Sequence, residues 1–322
     1  MQHFPSAFLA ASALALMALI SAPAAAQYPS KPVRLIVPFA AGGASDAAAR
    51  TIGRALSKSL GQSVVIDNRP GANGAIAAQT AMTASPDGYT LLWGVGSMVA
   101  ITLLQKNAAF DSLASLTPVS LTGRFAFGLF IHPTVPAKNV DELVKHTRAN
   151  ADKLAFAAAT MGEHLAAVQF MKATKTSMTR VPYKGGAQAM PDLLAGRVQL
   201  YFTPMGIALP YAKEGRLRML GTLLPQRSPA APEVPTMAEA GLPGVAVPTW
   251  QAIFAPPKTA KDIASRLSRD VNQALQDADV KLQFERLVLQ GEGTTPERLA
   301  AIIGQDFETW KVFIRENDIP QE

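Results

Sequence analysis

The chain has 322 residues and no cysteine, which excludes disulfide scaffolds, thiol nucleophiles, thiolate zinc sites and cysteine-held iron–sulfur clusters. Hydrophobic residues make up 48% and charged residues 17%, a globular composition with length for about two domains. The net charge of +6 comes from Lys and Arg spread thinly along the chain. Nucleic acid needs a clustered basic stripe, usually interleaved with aromatics, so no nucleic-acid partner is expected.

Residues 8–20 (FLAASALALMALI) form an apolar stretch of signal-peptide length, and Ala24, Ala25 and Ala26 supply a small-residue cleavage pattern. Residues 1–26 are therefore expected to be a cleavable export signal, with the mature chain starting near Gln27. No Lys or Arg precedes Lys31, so the usual positive n-region is missing, and an uncleaved N-terminal anchor is the alternative. No later window holds eighteen uninterrupted apolar residues, which predicts a soluble, extracytoplasmic mature protein.

Val33–Val37 reads as a buried strand that enters the glycine turn 39–44. A helix follows, capped by Ser45 or Asp46, with Ala48, Ile52, Ala55, Leu56 and Leu60 as its buried stripe and Gly61 as its stop. A strand at 63–67, a loop at 68–74, a helix at 75–84 and a strand at 89–95 complete a βαβαβ unit with short loops, which predicts parallel strands covered by helices. The order recurs: strand 153–157, loop 158–162, helix 164–173, strand ending at Tyr183, turn 184–186, helix to Gly196 and strand 198–203. The extended run 125–131 between the two units is expected to carry the chain from one lobe to the other. A strand at 217–223 precedes the stretch 225–248, which is broken by Pro and Gly and reads as a return linker. Strand 250–254 and helices 259–276, 279–289 and 296–317 then pack back on the first lobe.

In open parallel sheets, ligands bind beyond the carboxyl ends of strands, where helix N-termini present free N–H groups. The first unit offers Phe39, Ala40, Ala41, Gly42, Gly43, Ser45 and Asp46, with Ser97 at a neighbouring strand end. The second offers Thr160, Met161, Gly162 and His164, with Lys184, Gly185, Thr203 and Pro204 beside them. Two facing amide clusters suit a small carboxylate, at about 1.5–3 kcal/mol for each charge-assisted hydrogen bond. For either loop alone, the competing reading is a tight strand-to-helix turn with no ligand. Asp46 also suits capping of its own helix or pairing with Arg50. His164 also suits a loop-bracing role.

Motifs for chemistry are absent. There is no G-x-S-x-G elbow, no H-E-x-x-H zinc spacing, no G-x-x-x-x-G-K-[ST] loop and no G-x-G-x-x-G. Neither catalytic residues nor a metal or cofactor is expected. A secreted hydrolase using Ser97 or His164 is the competing class.

Several blocks carry a family resemblance: Tyr28 to Asp46 (YPSKPVRLIVPFAAGGASD), Gly61-Gln62, Asn68 to Gly74 (NRPGANG), Pro86 to Leu91 (PDGYTL), His164-Leu165, Val181 to Gly185 (VPYKG) and Pro232 to Thr236 (PEVPT). In order along the whole mature chain, they resemble the tripartite tricarboxylate transporter receptors, or Bug family. The resemblance implies a monomeric periplasmic solute-binding protein of type II-like α/β fold, with two lobes, each a mostly parallel sheet flanked by helices, and two crossover strands. Lobe one is expected to comprise residues 27–124 plus 247–322, and lobe two residues 125–246. The resemblance further implies closure on a small organic acid held largely by backbone amides, and delivery to integral-membrane transporter subunits or, alternatively, to a signalling system. The chain departs from the family's pattern at Ala157 to Glu163 (AAATMGE), a loop usually richer in Ser and Gly, and at Thr259-Ala260, where Thr-Pro is common.

Overall fold

The structure, a computed structural model, describes residues 28–104, 113–247 and 249–316. The expected export signal and mature start, Pro248 of the linker and Asn317 lie outside the described residues. Strand β1 (Val33–Val37) is almost wholly buried, as a parallel strand covered on both faces must be. Gly42, at φ +85, takes the turn into helix α1 (Ala44–Leu60), which buries the expected stripe and ends at Gly61 in the left-handed region. Neither Ser45 nor Asp46 caps this helix. Gly43 is the N-cap and receives no side-chain bond, because the helix begins before either candidate.

Strand β2 (Val64–Asn68), helix α2 (Ala75–Met82) and strand β3 (Thr90–Val95) follow, then a 3-10 turn at Gly96–Ala100 and a short helix α3 (Ile101–Leu104). The expected crossing run is broken at Ala126. Strand β4 (Thr117–Phe125) belongs to the first sheet and β5 (Phe127–Ile131) to the second. The second lobe continues through α4 (Val140–Ala149), β6 (Ala155–Ala158), α5 (Met161–Thr174), β7 (Thr179–Pro182), α6 (Gly186–Leu194), β8 (Leu200–Pro204), α7 (Met205–Lys213) and β9 (Arg218–Thr222). The chain then re-enters the first sheet as β10 (Trp250–Ala255) and ends with α8 (Lys261–Ala274), α9 (Ala278–Arg286), β11 (Leu289–Gln290) and α10 (Pro296–Glu316).

The sheet orders are β11-β4-β10-β3-β1-β2 and β7-β6-β8-β5-β9. Both are mixed, yet β1, β2, β3 and β4 share one direction in the first and β6, β7, β8 and β9 share one in the second, so each sheet is mostly parallel as expected. β1 pairs in parallel with β2 and β3, and β6 with β7 and β8. β10 lies antiparallel to β3 and β4, and β5 antiparallel to β8 and β9. The cause is topological: β5 and β10 each enter their sheet from the other lobe, and so run against the strands that point towards the cleft. The two crossings lie side by side there, with Phe125 N–H donating to Thr249 O at 2.9 Å.

The first lobe's core joins Trp93, Trp250 and Phe254 of its sheet to Leu267, Leu299 and Trp310 of the C-terminal helices. The second sheet buries both faces, Phe202 with Phe170 on one side and Tyr201 with Phe130 on the other, as strand alternation requires. The Pro-rich return has no regular element among its described residues, yet it is more than a linker. Val234, Met237 and Val245 fill the second lobe's cores, and Thr222 N–H donates to Pro235 O at 2.9 Å.

Candidate functional site

A cavity of about 50 Å³ lies between the lobes, room for roughly three to five water molecules at about 10–15 Å³ each. Its apolar wall is Phe39, Val95, Phe125, Phe127, Ile207 and Trp250. Its polar lining is Ser45, Ser97, Thr160, Glu163 and Thr249, with Gly43, Ala44, Gly162, Gly185, Gly186 and Pro204 contributing backbone. Among the described residues, no Lys, Arg or His lines it.

Helix termini make up much of this lining. The first turns of α1, α5, α6 and α7 all reach the cavity, through Ala44 and Ser45, Gly162 and Glu163, Gly186, and Ile207 respectively. The first N–H groups of a helix have no intrahelical acceptor, and the helix dipole adds a partial positive charge at that end. Four such ends converge on one small space. The cavity therefore attracts negative charge without a cationic side chain.

Each main loop is braced by an acid at the third helical position. Asp46, in α1, accepts from Gly42 N at 2.9 Å and Arg50 Nε at 2.9 Å through Oδ2, and from Asn68 Nδ2 at 2.9 Å through Oδ1. Burial raises its pKa, but these bonds and the Arg50 charge outweigh burial and hold it below the ordinary carboxylate range. Glu163, in α5, completes a capping box with Thr160. Its Oε2 accepts from Ala159 N at 2.6 Å and Thr160 N at 3.0 Å, and its Oε1 accepts from the Tyr201 hydroxyl at 3.0 Å. Glu163 is 2% exposed and has no cationic partner among the described residues. Burial, only partly opposed by the hydrogen bonds, pushes its pKa up to about 8.

The lobes touch directly around the cavity. Ala40 N–H donates to Lys184 O across the cleft at 3.3 Å. Met161 and Leu165, from the first turns of α5, are buried in the first lobe's core. A Cβ on Gly162 would lie 3.3 Å from Ser97 Cβ, and one on Gly185 would lie 3.1 Å from Ala40 Cβ.

Of the residues expected at the site, Phe39, Gly43, Ser45, Ser97, Thr160, Gly162, Gly185 and Pro204 line the cavity. Ala40 and Lys184 form the interlobe bond beside it, while Ala41 and Gly42 face solvent. Asp46 is turned to its own loop and Arg50. Met161 packs into the core, and Thr203 is fully buried in β8. His164 stacks on Phe156, with ring centroids 6.3 Å apart, and is absent from the cavity that Ser97 lines, so the two do not meet there. Sequence reasoning missed Glu163, although Thr160-x-x-Glu163 is a capping-box pattern. It also missed Phe125, Thr249 and Trp250, which the two crossings bring to the cleft.

Residues 48–318 match the model of the tripartite tricarboxylate transporter family receptor. The chain belongs to this family. Among solved structures, the periplasmic binding protein BugD is similar at 29% identity and a TM-score of 0.88, over 92% of this chain and 100% of that one. MatC from Rhodopseudomonas palustris, with bound malate, is 30% identical with a TM-score of 0.84, over 88% of this chain and 99% of that one. A second R. palustris protein, with adipate, is 30% identical with a TM-score of 0.86, over 91% and 99%. As a tripartite tricarboxylate receptor the chain is a two-lobed solute-binding protein, and its family and structural neighbours are binding proteins, not enzymes.

Proposed function

We propose that this receptor works in the periplasm, closes on a small organic carboxylate and delivers it to integral-membrane transporter subunits. The observation that carries the carboxylate reading is the convergence of four helix N-termini on a cavity that no cationic side chain lines among the described residues. Malate and adipate in two neighbours of the same fold support it. The described residues up to Phe125 and again from Thr249 form one jaw and those from Phe127 to about 246 the other, and the cavity-lining residues of the glycine turns hold the ligand between them. Among the described residues no helix is long and apolar enough to cross a membrane, which fits an export signal upstream of a periplasmic chain.

The test is a thermal-shift screen of C3–C6 mono-, di- and tricarboxylates. A true ligand at a hundredfold excess over Kd stabilises by about 2.7 kcal/mol, and the small cavity favours four-carbon acids over six-carbon ones. If no organic acid raises the melting temperature, the carboxylate reading fails. Co-purification of the receptor with transporter membrane subunits, only when ligand is present, tests the delivery step.

A further inference from the structure

Among the described residues that line the cavity, one carries an ionisable side chain, and it is an acid. Glu163 is buried between Ala159, Thr160 and Tyr201 with no counter-charge, in the space to which the helix ends draw an anion. Ionised, it would repel that anion at close range with little solvent to screen the repulsion. We propose that the cleft takes up one proton from solvent together with its anionic ligand, onto Glu163, and that this neutral acid determines which anions the receptor retains. This rests on the carboxylate reading above.

The geometry also locates the proton. Oε2 accepts two backbone N–H bonds, which occupies its lone pairs, so the acid proton belongs on Oε1. The elements packed against the start of α5 fit the same state, and Arg148 of α4 reaches only its far end, donating to Thr174 O at 2.7 Å. Strand β6 (Ala155–Ala158) and the turn Gly96–Ala100 carry no titratable residue. From β8, Tyr201 is held protonated by burial. Beyond it Tyr183, buried and bonded to Asp192, is pushed up to about 12. On α5 itself, His164 stacks on Phe156. Across the cleft, Arg50 is tied to Asp46. With the carboxyl already raised to about 8, an adjacent carboxylate moves it higher, and the shift appears as proton uptake.

The experiment is isothermal titration calorimetry of the mature protein with malate, succinate and adipate, all fully ionised above pH 7, in phosphate and in Tris at pH 8.5. The expected result is a binding heat that differs between the buffers by approaching one proton taken up. Affinity should fall towards about tenfold per pH unit between pH 8 and 9.5. In Glu163→Gln, which carries the neutral shape permanently, both effects should vanish. Equal heats and a flat pH profile in the wild type overturn the proposal and leave the carboxylate reading standing, whether or not Glu163→Gln folds. An undiminished pH dependence in Glu163→Gln overturns the assignment to Glu163. Binding of none of these acids at any pH overturns both readings.

Discussion

Asp46 and Glu163 show how much a counter-ion decides. Both occupy the third position of a helix and both reach back to brace the loop before it, yet Arg50 helps keep the first ionised while no cation among the described residues does so for the second. The sign for stability follows. Between the ordinary value of 4.5 and about 8 the folded state holds the Glu163 proton and the unfolded state does not. Stability contributed by this group is full below that window and is lost as pH rises through it. Urea denaturation at pH 5, 6.5 and 8 should show the wild type losing up to a few kcal/mol across the series, with a flatter profile in Glu163→Gln. The glycines that open the cleft were legible in the sequence, because Gly42-Gly43 and Gly185-Gly186 sit between a strand and a helix. The identity of the residue facing the ligand was not. His164 and Lys184 were attractive by chemistry, but one stacks on Phe156 and the other offers only its carbonyl to Ala40, and side-chain direction at a helix start depends on packing from the other lobe.

Helices supply the electrostatics of the cleft, so their first turns carry function as well as fold. Thr160→Ala removes the acceptor for Glu163 N–H and should destabilise the protein by about 1 kcal/mol, typical of a lost N-cap. The check is the urea midpoint at constant m-value. Apolar β-branched runs made most strands readable, β1 and β3 among them. Helix α7 was not, since Gly206 and Pro210 interrupt its pattern. It forms because Met205 N–H donates to Ala126 O at 2.7 Å and Met205 and Ala208 are buried in the second lobe, a tertiary gain that outweighs weak propensity. The antiparallel direction of β5 and β10 was equally hidden, because it follows from which lobe the chain comes from and not from local sequence.

At the scale of the molecule, closure brings Gly185 against Ala40. Gly185 has φ 173, extended backbone that any residue adopts, so a side chain there strains only the contact across the cleft. Gly185→Val should fold normally but resist closure. Small-angle scattering in saturating acid should give it a larger radius of gyration than the wild type, with at least tenfold weaker binding by calorimetry. Wild-type affinity in this variant would show that the contact is incidental.

Met161 and Leu165, carried on the second lobe, are buried in the first lobe's core. Parting the lobes would wet them, at about 1.5–3 kcal/mol for each large apolar side chain fully exposed, a cost that opposes opening, and the expected outcome is that part of the ligand-free receptor is already shut. Trp250, in the cavity wall, gives an intrinsic optical reporter of arrival. In stopped-flow mixing, its fluorescence should change at a rate that climbs with acid concentration and then levels off at the frequency of spontaneous opening. A rate that stays linear to the highest concentration would mean that the gate stands open in solution. With that saturation observed, the apolar grip between the lobes would set the ceiling on how fast a solute is collected.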